Sequence, residues 1–298
     1  MTPMSYQSLV AISQSPISEK MVFELKDHAS KFGVSLHTSD SQTTHGYYHL
    51  ASWEVSHHLD VPQRELLRGV ADSFYTDLCF LKPEFQPSAI KVLAMDMDST
   101  LINIECIDEI ADFTGKKSAV AQITEATMRG EIKDFKESLR RRVALLEGVS
   151  ADSLESVYRE RLRLNPGAAE LLAGAHERGI YTLLVSGGFT FFTEKLRQQF
   201  GLKQTQANTL EIIDGKLTGK VIGDIVDGMA KAAFLDRTCL GLGYTKENAI
   251  TMGDGANDLI MMMGSGISVA YKAKPVVKEK ADAAFDHVGL DAALLLLT

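Results

Sequence analysis

The chain has 298 residues, of which 45% are hydrophobic and 23% are charged, and its formal net charge is −8. This length and composition are typical of a globular protein with one large domain and a smaller one. The acidic balance, with one basic run at residues 140–142, argues against a nucleic-acid partner, and no run of roughly 18 apolar residues is present to span a membrane.

The N-terminus and the cysteines are informative about the cellular compartment of the protein. No basic segment, apolar segment and cleavage site follow one another at the N-terminus, so we expect a cytoplasmic protein. Cys79, Cys106 and Cys239 are scattered and odd in number, which predicts free thiols rather than a disulfide framework or a metal site.

The N-terminal part of the chain predicts a small domain. Apolar periodicity predicts four strands, at residues 8–14, 34–39, 46–55 and 77–81. It predicts two amphipathic helices, at residues 18–31 and 63–74. The order βαββαβ is typical of a ferredoxin-like α+β domain, here residues 1–85, and such a fold does not specify a function. Two prolines within residues 82–88 predict a linker after it.

Residues 89–298 predict a larger domain built on a parallel sheet. Short apolar runs predict four of its strands, at residues 92–95, 181–185, 249–252 and 267–270. Buried strands that are joined through helices form parallel sheets, and ligands bind beyond their carboxyl ends. Three of these strands stop at or next to Asp96, Ser186 and Asp254, so the sequence predicts one site at that edge.

Two excursions interrupt this pattern. About eighty residues separate the first two strands of the sheet, far more than one crossover needs. Apolar periodicity predicts four helices in that interval, at residues 107–114, 118–129, 135–146 and 152–161. We interpret them as a helical cap at about residues 105–165, inserted after the first strand. The second excursion, at about residues 209–225, predicts a β-hairpin with Asp214-Gly215 at its turn.

Two carboxylates follow the first strand, in the segment Asp96-Met97-Asp98-Ser99-Thr100. One of them can attack phosphorus while the other protonates the leaving oxygen. A carboxylate nucleophile suits phosphoryl transfer, because the acyl phosphate that it forms is readily hydrolysed. A solvated acidic loop is the alternative that this pair alone leaves open.

A second acidic segment, Gly253-Asp254-Gly255-Ala256-Asn257-Asp258, follows another apolar strand. Mg²⁺ prefers oxygen ligands from carboxylates, water and phosphate. Asp96 and Asp254 can supply carboxylates from adjacent strand ends, and Asp258 can orient ligands or water. The sequence therefore predicts a magnesium site, because so much negative charge without a cation is costly.

Two further features predict an anion site. Ser186-Gly187-Gly188 offers a hydroxyl and backbone N–H groups to phosphate oxygens, although such a turn is a weak signal alone. Lys231 falls in the first turn of a helix that begins near Met229, where the helix dipole disfavours a cation. A bound anion or neighbouring aspartates would explain that position, and a solvated surface lysine is the alternative.

The predicted cap contains two candidate residues for substrate recognition. On the helix at residues 135–146, successive residues are rotated by about 100° around the helix axis. With this rotation Arg142 lies near the apolar stripe of the helix, whereas Arg141 points away from it. Arg142 is therefore the arginine predicted to turn inward and bind a carboxylate. Glu105, close to the first acidic segment, needs a cation, which can be a substrate ammonium group or a structural ion-pair partner.

Together these residues resemble the haloacid dehalogenase (HAD) superfamily and, within it, the phosphoserine phosphatases. The segments that carry the resemblance are residues 96–100, 186–188, Lys231 and 253–258. More specific matches are residues 103–111, 138–143, 214–219 and 273–275. The resemblance covers roughly residues 91–298 and implies a HAD-like (Rossmann-like) α/β fold, whereas the N-terminal domain resembles an ACT-like regulatory domain only in its element order.

The resemblance implies a role for each matched residue. Asp96 would be the nucleophile and a Mg²⁺ ligand. Asp98 would be the general acid and then the base, with its backbone carbonyl on the metal. Asp254 would complete the protein ligands, supported by Asn257 and Asp258. The implied substrate-binding residues are Glu105 for the amine, Arg142 for the carboxylate, Ser186, Gly187 and Lys231 for the phosphoryl group, Asn257, and Met128 and Phe135 as apolar lining of the cap.

The implied activity is Mg²⁺-dependent hydrolysis of O-phospho-L-serine through a phospho-aspartyl intermediate, as the last step of serine biosynthesis. The expected partner is this small-molecule substrate, and a homodimer and serine binding by the N-terminal domain are further expectations. Two alternatives remain open: phosphoryl transfer to another hydroxyl, such as that of homoserine, and an amino-acid sensor on an inactive phosphatase fold. The complete set of catalytic residues argues against the sensor.

Overall fold

The computed structural model of the chain describes residues 7–38, 42–128, 132 and 134–297, without the side chains of Gln7, Thr127 and Met128. Its first seven elements are called the N-terminal module. They are β1 (Gln7–Ser13), α1 (Glu19–Ser30), β2 (Leu36–Thr38), β3 (Thr43–His45), β4 (Tyr48–Val55), α2 (Val61–Asp72) and β5 (Thr76–Leu81). Four of its strands lie in the antiparallel order β2-β4-β1-β5, which is the order of a ferredoxin-like sheet.

Three elements of the N-terminal module differ from their predicted bounds by two residues: β2 and β4 begin two residues later, and α2 begins and ends two residues earlier. The sequence pattern predicts a strand at residues 46–55, whereas β4 begins at Tyr48 and pairs with the additional strand β3. Gly46 has a φ of +62°, a left-handed conformation that glycine adopts without a steric cost. Because His45 pairs with Tyr48, residues 46 and 47 form the tight turn of a hairpin.

Both helices of the module begin at a capping side chain and bury one face on the sheet. The Ser18 hydroxyl accepts the N–H of Met21 at 3.1 Å, and the Asp60 carboxylate accepts the N–H of Gln63 at 2.9 Å. The apolar faces of the helices and the facing side of the sheet form a core around Trp53. Such burial contributes about 25 cal/mol for each Å² of apolar surface.

The elements from β6 onward are called the catalytic part. They are β6 (Val92–Met95), α3 (Cys106–Asp112), α4 (Lys117–Met128), α5 (Phe135–Ala144), α6 (Asp152–Ser156), α7 (Ala168–Glu177), β7 (Tyr181–Phe189), α8 (Thr190–Phe200), β8 (Gln204–Ile213), β9 (Lys216–Ile222), α9 (Gly228–Gly241), β10 (Ala249–Gly253), α10 (Leu259–Met262), β11 (Ile267–Tyr271), α11 (Pro275–Lys280) and β12 (Ala283–Phe285). The strands β12-β11-β10-β6-β7-β8 are parallel, and β9 is antiparallel at the edge. The predicted parallel α/β sheet with helices α3–α6 inserted after its first strand is confirmed.

Three details of the catalytic part differ from the predictions. The strand predicted to end at Val185 continues as β7 to Phe189. Its pairing with β8 resumes at Phe189 and Asn208 after a register shift of the kind that a β-bulge produces. The helix predicted at residues 152–161 is α6 followed by a π-helical turn, Val157–Arg161. The sequence patterns did not indicate α7, α8, α11 or β12. None of the helices in the described ranges has the length and hydropathy needed to cross a membrane.

The module and the catalytic part share one twelve-stranded sheet. Its order is β2-β4-β1-β5-β12-β11-β10-β6-β7-β8-β9, with β3 paired to β4, and β5 meets β12 antiparallel at Cys79 and Ala283. One face of the module sheet, which includes Ile12, Tyr48 and Cys79, belongs to the core of the catalytic part. The predicted division between residues 85 and 89 falls in the connection from β5 to β6 and stays a prediction.

Candidate active site

The candidate site lies where β6 and β10 end side by side at the centre of the parallel sheet. Asp96 follows β6 directly, and its N–H donates to the Met252 carbonyl of β10 at 3.0 Å. Asp254 follows β10, and Ser186 lies in β7 on the other side of β6. The next strand in the chain, β7, pairs with one side of β6, and the later strand β10 pairs with the other side. This edge is therefore the topological switch point of the sheet, where ligands bind in such folds.

A cavity of about 830 Å³ opens between this sheet edge and the cap helices. It is lined by Asp96, Asp98, Ser99, Glu105, Ile107, Asp108, Thr124, Phe135, Ser138, Leu139, Arg142, Ser186, Gly187, Gly188, Phe189, Asp254, Gly255, Ala256, Asn257, Lys274 and Pro275. The cavity is therefore shared by the acidic strand ends and by the two residues that the sequence singled out for an amine and a carboxylate.

Asp96 is buried at the floor of the site, with 5% of its surface exposed. One carboxylate oxygen accepts the N–H of Met97 at 2.7 Å, and the other lies 2.9 Å from the Lys231 ammonium. Burial raises the pKa of Asp96 above its ordinary value, as do the charges of Asp258 and Asp254, and Lys231 opposes them.

Lys231 is completely buried and joins two carboxylates. Its ammonium lies 2.7 Å from Asp258 and 2.9 Å from Asp96. Burial lowers the pKa of Lys231, but Asp258 and Asp96 outweigh burial and raise the pKa above its ordinary value. The predicted explanation by neighbouring aspartates therefore fits, and the alternative of a solvated surface lysine is excluded.

Asp98 is held at the start of the cap by α3. Its carboxylate accepts the N–H of Cys106 at 3.0 Å. Burial raises the pKa of Asp98 to about 7, the nearby Glu105 charge adds to the rise, and hydrogen bonds from Cys106 oppose it. The β7 backbone passes so close that a Cβ on Gly188 would lie 2.5 Å from an Asp98 carboxylate oxygen. A carboxyl group with a pKa near neutrality can both donate and accept a proton.

Glu105 faces the cavity from the base of the cap. Its carboxylate accepts the Ser99 hydroxyl at 2.7 Å, and Ser99 itself has a φ of +57°. The residue is exposed to the cavity, yet the cap and the sheet edge surround it, and burial raises its pKa. No residue in the described ranges forms an ion pair with Glu105 within 4 Å. The described part of the chain therefore does not supply the structural ion-pair partner that was the alternative to a substrate ammonium group.

Asp96, Asp254 and Asp258 form an acidic cluster whose ligand oxygens all lie within 4.8 Å of one another. Burial raises the pKa of Asp254 to about 7, and Asp258 and Glu105 add to the rise. Thr100 donates its hydroxyl to Asp254 at 3.3 Å, and Gly255 donates its N–H to Asp258 at 3.0 Å. Closely spaced carboxylate oxygens in a recessed site fit the ligand preference of a hard divalent cation, which would offset their mutual repulsion.

The remaining predicted substrate residues line the cavity walls. Arg142 points inward as the helical periodicity predicts, and Arg141 is exposed and pairs with Glu137 at 2.8 Å. Burial lowers the pKa of Arg142, and the charges of Glu105 and Asp108 oppose that change. A Cβ on Gly187 would lie 3.1 Å from the Phe135 ring, and Asn257 also lines the cavity. The side chain of Met128 lies outside the described residues.

Lys274 is a site residue to which sequence reasoning assigned no role. Its N–H donates to the Asp254 carbonyl oxygen at 3.0 Å, and its side chain lines the cavity. Burial raises the pKa of Asp254 and Glu105, and the Lys274 ammonium opposes that rise in both. The segment Ala273-Lys274-Pro275 contained a signal for a helix start directly after Lys274. Proline favours the first position of a helix, and Pro275 begins α11.

Comparison with known proteins finds a matching family and similar relatives. Residues 93–263 match the family of haloacid dehalogenase-like hydrolases. A phosphoserine phosphatase from Polaromonas sp. strain JS666 is 57% identical over 219 residues, which are 72% of this chain and 93% of the relative.

Two solved structures are similar in fold. A probable phosphoserine phosphatase from Vibrio cholerae has a TM-score of 0.78 at 34% identity and covers 97% of this chain and 86% of its own. A phospho-aspartyl intermediate analogue of a phosphoserine phosphatase has a TM-score of 0.65 at 37% identity and covers 70% of this chain and 99% of its own.

Proposed function

The chain belongs to the haloacid dehalogenase-like hydrolases, and from this premise we propose that it hydrolyses phosphoserine to serine and phosphate. The observation that carries the proposal is that Glu105 and Arg142 face the same cavity as Asp96 and Asp98. A small zwitterion that bears a phosphate has a complementary group for each of them: an ammonium for Glu105 and a carboxylate for Arg142. The phosphoserine phosphatases among its relatives support the same substrate.

In the first step Asp96 attacks the phosphorus atom of the substrate. A bond forms between a carboxylate oxygen and phosphorus while the bond from phosphorus to the serine oxygen breaks. Asp98, with its pKa raised by burial to about 7, donates a proton to the departing serine oxygen. Lys231 and the Ser186 hydroxyl hold the phosphoryl group and offset the charge on its oxygens.

We propose Mg²⁺ as the divalent cation of this site. Asp96, Asp254 and the backbone carbonyl of Asp98 would hold it, with Asp258 and Asn257 orienting its surroundings. A bound cation would supply positive charge against the phosphoryl oxygens and would relieve the repulsion among the buried carboxylates.

In the second step Asp98, now deprotonated, takes a proton from a water molecule, and the water oxygen attacks phosphorus. The bond between phosphorus and Asp96 breaks, phosphate leaves and Asp96 returns as a carboxylate. Helices α3, α4 and α5 line the cavity and exclude other water during both steps.

A panel of phosphate monoesters in the presence of Mg²⁺ tests the proposed substrate. O-phosphoethanolamine lacks the carboxylate of phosphoserine, and 3-phosphoglycerate lacks its ammonium group. We expect kcat/KM for phosphoserine to exceed that for either compound by about 100-fold or more, because each leaves a charged residue of the cavity unpaired. Equal turnover of all three would refute recognition by Glu105 and Arg142.

The same assay separates hydrolysis from phosphoryl transfer. Addition of homoserine is expected to leave the release of free phosphate unchanged, and a drop matched by phosphohomoserine formation would identify a phosphotransferase. A cytoplasmic location, a homodimer and serine binding by the N-terminal module stay predictions.

A further inference from the structure

The N-terminal module contacts the end of α11 that lies away from the active site. From α2, the Arg68 guanidinium donates to the carbonyl oxygens of Lys278 at 2.5 Å and Ala281 at 2.8 Å. It also lies 3.4 Å from the Asp282 carbonyl oxygen. The last carbonyls of a helix have no partner in the helix itself, and the helix dipole attracts a cation to them.

Arg68 is itself held firmly in place. Its side chain is 10% exposed and lies over the Phe80 ring, with 5.0 Å between the guanidinium carbon and the ring centroid. The Glu65 carboxylate accepts from the same guanidinium at 2.7 Å. Phe80 in turn donates its N–H to the Asp282 carbonyl at 2.8 Å, where β5 meets β12. Backbone pairing and the arginine therefore fix the same junction.

The opposite end of α11 forms part of the wall of the active-site cavity. Lys274 is the residue before this helix, and both Lys274 and Pro275 line the cavity. The Lys274 N–H donates to the Asp254 carbonyl oxygen at 3.0 Å. The six residues of α11 span about 9 Å, so the helix can transmit a displacement of one end to the other as a rigid unit.

We propose that Arg68 is a positioning residue for the cation site, through which the N-terminal module sets the affinity of that site for its divalent cation. Arg68 holds the C-terminal carbonyls of α11, α11 holds the Lys274 N–H against the Asp254 carbonyl, and Asp254 belongs to the acidic cluster. The inference rests on the proposed role of that cluster. Arg68 lies outside residues 93–263, which match the family.

Titration of the full chain with Mn²⁺ alone, followed by electron paramagnetic resonance, measures cation affinity without turnover. Arg68→Ala is expected to weaken Mn²⁺ binding by about 3- to 10-fold, below the effect of removing a direct partner of a metal ligand. Arg68→Lys is expected to weaken it less than Arg68→Ala, because a lysine keeps a positive charge near the carbonyls, although it lacks the fork that serves two of them at once. Hydrogen exchange of residues 274–282 is expected to speed up in both variants.

Arg64→Ala is the matched control. Arg64 lies one turn earlier on α2, over the same Phe80 ring at 5.8 Å, and its guanidinium has no hydrogen bond to α11 in the described part of the chain. Its Mn²⁺ affinity is expected to match that of the wild type. Far-UV circular dichroism reports whether each variant folds, fluorescence of the single tryptophan, Trp53, reports the folding of the N-terminal module, and Arg68→Lys carries the test if Arg68→Ala does not fold.

Two results would overturn the inference: Mn²⁺ affinity equal to wild type in the folded Arg68 variants, or equal weakening in Arg64→Ala. The wild type separates this inference from the proposed function. A wild type that binds Mn²⁺ but hydrolyses no phosphate monoester would refute the proposed function, and a loss of affinity in the Arg68 variants would still support the positioning role.

Discussion

Asp254 combines burial with negative neighbours, so its charge works against the folded state when no cation is bound. Its folded pKa of about 7 lies above the ordinary value of 3.8, so the folded protein keeps a proton that the unfolded chain loses. The contribution of Asp254 to stability therefore falls as the pH rises from about 4 to about 7, and the loss is complete above that window.

Removal of this charge should stabilise the protein and inactivate it. Asp254→Asn is expected to raise the free energy of unfolding of the metal-free protein at pH 8 by about 1–3 kcal/mol, and to abolish turnover. Urea unfolding in the presence of a chelator measures this difference, which should shrink toward pH 4. A variant less stable than the wild type at pH 8 would show that the Asp254 charge stabilises the fold.

Arg142 is expected to act on the carboxylate of the substrate and not on its phosphate. Arg142→Ala should lower kcat/KM for phosphoserine by about 100-fold or more, through loss of a charge-assisted hydrogen-bond pair. Its activity toward an aryl phosphate, which has no carboxylate, should change by a much smaller factor. Arg141→Ala is the matched control, because Arg141 is exposed on the same helix and pairs with Glu137. Equal losses on both substrates would exclude this role.

Much of the site was predictable from single residues, and the reasons are local. Lys231 was informative because a lysine in the first turn of a helix opposes the helix dipole, and Arg142 because helical periodicity fixes its direction. The contacts of Arg68 had no such signal. An arginine on an amphipathic helix is usually solvated, and the carbonyls that it serves lie about 210 residues away in the chain.

At the scale of elements, β7 determines how closely the backbone approaches Asp98. A Cβ on Gly188 would lie 2.5 Å from Asp98 Oδ2, 2.9 Å from Met97 Cε and 3.0 Å from Ser186 Oγ. Gly188→Ala is therefore expected to displace Asp98 and to lower kcat by about 100-fold, with the fold retained. Steady-state kinetics and far-UV circular dichroism measure the two effects.

Gly241→Ala is the control for this substitution. Gly241 is at the end of α9, and an added Cβ would meet no atom within 4 Å. This variant should keep wild-type kcat. If Gly188→Ala also kept wild-type kcat, close approach of β7 would not be what positions Asp98.

The helix α1 is among the elements that the sequence predicted closely. It lies within one residue of its predicted bounds, because Ser18 caps it and its apolar spacing is regular. By contrast, β12 has three residues and pairs with β5 from the opposite end of the chain. No local pattern distinguishes so short a strand, since only the assembled sheet provides its partners.

At the scale of the whole molecule, the module and the catalytic part should unfold together. They share one sheet, and Ile12, Tyr48 and Cys79 of the module pack into the core of the catalytic part. Buried Asp77 of β5 also accepts three backbone N–H groups of residues 286–288 that follow β12. These contacts tie the stability of each part to the presence of the other.

The single tryptophan makes this cooperativity measurable. Trp53 is 2% exposed in the core of the N-terminal module, so its fluorescence reports the unfolding of the module alone. We expect its urea transition to coincide with those of far-UV circular dichroism and of enzymatic activity. A fluorescence transition well below the loss of activity would mean that the module unfolds as an independent unit.

The central claim is that Asp96 carries the phosphoryl group between the two steps. Enzyme mixed with phosphoserine labelled in its phosphate, and quenched in acid during the first turnovers, tests this claim directly. The label is expected on the one peptide that contains Asp96, in a form that hydroxylamine releases, and Asp96→Asn is expected to show neither label nor turnover. Label on a peptide without Asp96, or turnover by Asp96→Asn at a rate close to the wild type, would contradict a phospho-aspartyl mechanism at this residue.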